Sequence, residues 1–143
     1  MRNGAWFIVV DRGRGRLLRC SLLPPGRVHV DELDAIDGPP DEREHGRPSP
    51  RAGRGGYTYA SGGHETEQQL HRFAKEVASW IGRKLEEHRI DRLDLFAAPR
   101  LLGELRKLYP AAWDGRVREH QADLTQVTTA ELSKHPAVAD LLR

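Results

Sequence analysis

Ala5-Trp6-Phe7-Ile8-Val9-Val10 is an apolar run of β-forming residues with no polar position to interrupt it. A half-exposed strand would alternate, so this run reads as a buried strand, which calls for a sheet with cover on its faces. Asp11-Arg12-Gly13-Arg14-Gly15 supplies a turn, and residues 16–23 return as a second β-like run, completing a hairpin. Pro24-Pro25-Gly26 is a further turn. Beyond it Val28, Val30, Glu32 and Asp34 alternate with His29, Asp31, Leu33 and Ala35, which predicts a third, more exposed strand near an edge.

The regular pattern then stops. Residues 37–64 form a stretch of 28 residues rich in Gly, Pro, Arg and Ser, read here as one long loop. Compact domains seldom keep a loop beyond about 12–15 residues without a use for it, and binding residues concentrate on such loops. At its centre lies Arg51-Ala52-Gly53-Arg54-Gly55-Gly56-Tyr57-Thr58-Tyr59, with Arg43 and Arg47 upstream. Arginine can hold a phosphate backbone while aromatic rings stack on bases, so this composition points to RNA. A surface loop with no partner has the same composition.

After the loop the period changes to that of a helix. Leu70, Phe73, Ala74, Val77, Ala78, Ile81 and Leu85 recur at steps of three and four. Thr66-x-x-Gln69 has the form of a capping box, predicting a helix from there to about Arg89. Residues 93–98 read as a short buried strand, and Pro99 opens a second helix over 100–109. Residues 117–122 read as the last strand, and Thr128-x-x-Glu131 starts a terminal helix that Pro136 should perturb. The expected order is β-β-β-α-β-α-β-α in one domain spanning 1–143. This is an α/β fold with a five-stranded mixed sheet, helices on the sheet faces, and the order of the ribonuclease H-like architecture.

Composition narrows the setting. The formal charge is only +2, yet 19 of the 23 basic residues are arginine. That bias fits a GC-rich coding sequence or phosphate recognition. The single cysteine, Cys20, sits in an apolar strand pattern and cannot form an internal disulfide, which agrees with a reducing cytoplasm. No run approaches the ~20 apolar residues of a membrane helix. The apolar run at the N-terminus is cut short by Asp11-Arg12, unlike a signal peptide.

No catalytic constellation is complete. A metal-dependent nuclease of this architecture needs several carboxylates at the strand ends. Asp11 is one candidate, but 97–99 read Ala-Ala-Pro where a second acid would be wanted, and Asp94 lies at the other end of that strand. The seven histidines have no metal-ligand spacing. No cofactor motif is present, so neither a cofactor, a metal nor a catalytic residue is expected.

Several segments together carry a family resemblance. Residues 6–19, Gly46-Arg47-Pro48, residues 67–85 with Phe73-Ala74, residues 95–106 (Leu-Phe-Ala-Ala-Pro-Arg-Leu-Leu-Gly-Glu-Leu-Arg) and Asp123-Leu124-Thr125 resemble the bacterial host attachment protein family. That family is in turn similar to the central domain of archaeal and eukaryotic peptide-chain release factors. There, a loop at this topological position carries Gly-Gly-Gln. Gly53-Arg54-Gly55-Gly56 resembles its glycine part, with Tyr57 in place of the glutamine. The resemblance implies a loop that reaches RNA without releasing a peptide. The expected function is a non-catalytic RNA- or ribosome-associated module binding through Arg47, Arg51, Arg54, Gly55, Gly56, Tyr57 and Tyr59. The expected partners are the ribosome, rRNA or tRNA. A protein partner linked to attachment is the alternative, and a residual nuclease or peptidyl-tRNA hydrolase is the third reading. An exposed third strand also leaves a homodimer open.

Overall fold

The computed structural model describes residues 2–11, 13–38 and 55–143, the stretch 55–66 as backbone only. Five strands form one sheet: β1 (Gly4–Asp11), β2 (Arg14–Leu23), β3 (Arg27–Asp37), β4 (Leu93–Ala97) and β5 (Val117–Gln121). Their spatial order is β3-β2-β1-β4-β5. The meander β1-β2-β3 is antiparallel, whereas β4 runs parallel to β1 and β5 parallel to β4. This is the mixed sheet expected of a ribonuclease H-like order.

The central place of β1 follows from its sequence. Ile8 and Val10 enter an apolar cluster on one face with Leu17, Leu93, Leu95 and Ala97. Ala5, Phe7 and Val9 enter a second cluster on the other face with Leu18, Cys20, Val30 and Phe96. Two helices, α1 (Gly55–Glu87) and α2 (Pro99–Arg106), cover the first face. They bury Leu70, Phe73, Val77, Trp80, Ile81 and Leu85 from α1 and Leu101, Leu102 and Leu105 from α2. The second face is covered by the C-terminal segment through Leu124, Leu132, Val138, Leu141 and Leu142.

Two helix boundaries differ from the sequence expectation, and a third follows it. The long helix starts at Gly55, not near Thr66, so residues 55–64 are helical and Thr66 lies inside the helix. Glycine costs about 1 kcal/mol relative to alanine in a helix but does not remove a donor, and no proline occurs between Pro50 and Pro99. At 33 residues α1 is about 50 Å long. Helix α2 ends at Arg106 rather than Tyr109, where Lys107 and Leu108 turn back on the carbonyls of Glu104 and Leu105. As expected, Pro136 perturbs the terminal helix, dividing it into α3 (Thr129–Leu132) and α4 (Pro136–Ala139). The Thr128 hydroxyl caps α3, and Pro136 occupies the first turn of α4, where its missing N–H is harmless.

Strand β3 is an edge, as expected, but its alternation reverses. Leu17 pairs with Asp34 and Leu18 with Glu32, so Leu33 is an extra residue in a β-bulge, 47% exposed. The bulge turns Asp34 and Ile36 to the α1 side, where Val28 and Val30 would otherwise have drawn them to the opposite layer. There Asp34 Oδ2 meets Lys84 Nζ at 2.6 Å and accepts from Trp80 Nε1 at 3.3 Å.

The hydrogen bond from Lys84 holds the Asp34 carboxyl below its ordinary value of 3.8. A carboxyl made more acidic by folding stabilises the fold above its ordinary range and loses that contribution as the pH falls through its folded value. Asp34→Asn should therefore lower stability by about 1 kcal/mol at pH 7, the range for a partly exposed pair. In urea melts the gap between wild type and variant should close as the pH drops below about 4. Phe7→Ala, which opens a cavity in the second cluster, should cost about 3–5 kcal/mol in the same assay.

Candidate nucleic-acid interface

Strand β3 ends at Asp37, and the next residue is pinned: Gly38 N–H donates to the Gly13 carbonyl at 2.8 Å. A side chain at Gly38 would meet Phe73 of α1 at 3.2 Å, so glycine lets the chain pass between the β1–β2 turn and the helix. The chain re-enters description at Gly55, the first residue of α1. Arg47, Arg51 and Arg54 lie outside the described residues. Gly55, Gly56, Tyr57 and Tyr59 belong to the opening turns of α1 rather than to a loop. The side chains of Tyr57 and Tyr59 are likewise outside the description. The first turn of α1 contains no acidic residue, and the N-terminal end of a helix carries a partial positive charge.

The helix carries a second feature that its sequence does not announce. Arg72, Lys75 and Arg83 are exposed, and none has an ion-pair partner among the described residues. At 100° per residue they fall within about 80° of one another, on the side away from Phe73, Val77 and Ile81. Lys75, Ser79 and Arg83 line a groove of about 380 Å³ with Glu76 and with Ile36 of β3. Lys84 is different, since Asp34 and Glu87 hold it at 2.6 and 2.8 Å and raise its affinity for the proton. The row is legible only once the helix is known to be continuous, because its members are spread over 12 residues.

The strand-end carboxylate singled out for nuclease chemistry is already occupied. Asp11 Oδ1 accepts from the N–H groups of Gly13 and Arg14, and Oδ2 accepts from the Thr125 hydroxyl at 2.9 Å. The same hydroxyl lies 2.8 Å from Asp123 Oδ1. Beside it Arg16, only 5% exposed, donates to Glu32 and to the carbonyls of Thr125 and Val127. These bonds tie the hairpin to the segment after β5. Among the described residues no group of three His, Cys, Asp or Glu side chains is placed to hold a metal ion. No described helix is long and apolar enough to cross a membrane.

Sheet order and layering thus define an α/β protein of ribonuclease H-like order. The family model described as "Protein required for attachment to host cells" matches residues 6–135, and the chain belongs to that family. No curated protein matches it. Among solved structures it is similar to the archaeal translation termination factor aRF1, with a TM-score of 0.36 and 11% identity. That alignment covers 99% of this chain but only 37% of the other, so this chain spans little over a third of that protein's length.

Arg16→Met should leave two carbonyls and Glu32 without their donor and cost about 2–3 kcal/mol, measured by urea denaturation. Thr125→Val, which keeps the shape and removes the shared hydroxyl, should cost about 1–2 kcal/mol.

Proposed function

We propose that this protein is a cytoplasmic, non-catalytic RNA-binding module that associates with the ribosome, rRNA or tRNA. The residues it would use are Arg47, Arg51, Arg54, Tyr57 and Tyr59 together with Arg72, Lys75 and Arg83 of α1. The observation that carries this reading is the row Arg72, Lys75 and Arg83, three exposed cations on one helix face with no ion-pair partner among the described residues. Cations of this kind suit phosphates, which fix an RNA backbone without reading its sequence. The glycines at 53, 55 and 56 allow close approach of the backbone. Tyr57 stands where a release factor's glutamine would be, so binding without peptidyl-tRNA hydrolysis is the expected activity.

Co-sedimentation with ribosomes at graded salt tests the reading. Binding should be strong at low salt and fall steeply as salt rises, because each neutralised phosphate releases counterions. Replacing Arg72, Lys75 and Arg83 together by glutamine should lower the slope of log K against log salt by about 2–3. Absence of ribosome or RNA binding at low salt would overturn it. In that event a protein partner, as the family's description of attachment suggests, becomes the reading to pursue.

A further inference from the structure

On the sheet face opposite α1, four polar side chains meet at the β4–β5 edge. The parallel register places Arg118 beside Asp94 and His120 beside Phe96, and alternate residues share a face. Arg92, just before β4, has the same parity. Asp94 is only 1% exposed. Its Oδ1 lies 2.9 Å from His120 Nε2, and the His120 ring stacks on Phe96 at 4.6 Å and 18°. Arg118 Nε stands 4.0 Å from Oδ1, and Arg92 Nε stands 3.9 Å from Oδ2. Asp94 Oδ2 and Arg92 Nε are both buried and have no hydrogen-bond partner among the described residues.

This is an unusual way to neutralise a buried carboxylate. A structural arginine–carboxylate pair normally closes into direct, often two-pronged hydrogen bonds. Here the one direct bond goes to imidazole, and both guanidinium groups stand off at ion-pair distance. Asp94 therefore holds the two arginines by charge without consuming their donors. One carboxylate against two guanidiniums leaves a surplus positive charge, and the Arg118 side chain is 51% exposed. Among the described residues the apolar cluster on this face takes none from β5, and the His120 side chain is a third exposed.

We propose that Arg92, Arg118 and His120 form an anion site for a terminal phosphate group, with Asp94 as its positioning residue. Guanidinium donors match phosphate oxygens in fork geometry. The unused N–H groups of Arg92 and Arg118, beside the His120 ring, outnumber the two free oxygens of an internal phosphodiester and suit the three of a phosphate monoester. The site is compact, unlike the row on α1, and lies on the other side of the sheet. It does not depend on the RNA-binding reading.

The test is titration of the full chain with inorganic phosphate at constant ionic strength, following the His120 imidazole signals by NMR and the thermal midpoint. A saturable shift of His120 and a rise in the midpoint are expected, with chloride giving neither. Arg118→Gln, at an exposed edge position, should weaken phosphate at least tenfold while Arg72→Gln on α1 leaves it unchanged. Asp94→Asn adds net positive charge, so general attraction would tighten binding, whereas loss of positioning weakens it. Weaker binding supports the role given to Asp94, and tighter binding overturns it. A 5′-phosphorylated oligonucleotide should compete better than the same oligonucleotide with a 5′-hydroxyl. Equal competition would overturn the choice of a terminal phosphate. No saturable shift, or one that survives combined Arg92→Gln and Arg118→Gln, would overturn the site.

Discussion

The two-sided burial of β1 organises the rest of the molecule. Ile8 and Val10 demand cover on one side, Phe7 and Val9 on the other, and all four are fully buried. One helical layer cannot satisfy both. The chain meets the first demand with α1 and α2 and the second with its C-terminal segment. Strand β1 also joins the two halves of the sheet, pairing antiparallel with β2 and parallel with β4. A polar residue at Ile8 or Phe7 would weaken a layer and the seam between the halves together.

Much of this was legible because it rests on local signals. The run 5–10, the helical period from Leu70 to Leu85 and Pro99 before an apolar stripe each state an element directly. The start of α1 was not legible, since glycines at 55, 56, 62 and 63 weaken a helix without forbidding it. The Leu33 bulge was hidden as well. Simple alternation puts Val28, Val30, Glu32 and Asp34 on one face, and only packing against Trp80 and Lys84 shows the reversal.

The candidate surfaces divide in the same way. Arginine, glycine and tyrosine concentrated in 47–59 draw attention by composition. Arg72, Lys75 and Arg83 do not, because charges at helical spacing are ordinary until the described neighbours are seen to leave them without an ion pair. The Asp94–His120 contact joins residues 26 apart, and only the pairing of β4 with β5 creates it. The part-buried bond of Thr125 to Asp11 spans 114 positions, which no local pattern can encode.

The bulge at Leu33 has a consequence for what the open edge of the sheet can accept. It divides β3 into residues 27–32 and 34–37, whose pleats are out of phase. An incoming flat strand can follow one half or the other, but it must break its own alternation to follow both. The longest unpaired edge of the described sheet thereby offers only short templates, which guards it against indefinite growth by strand addition.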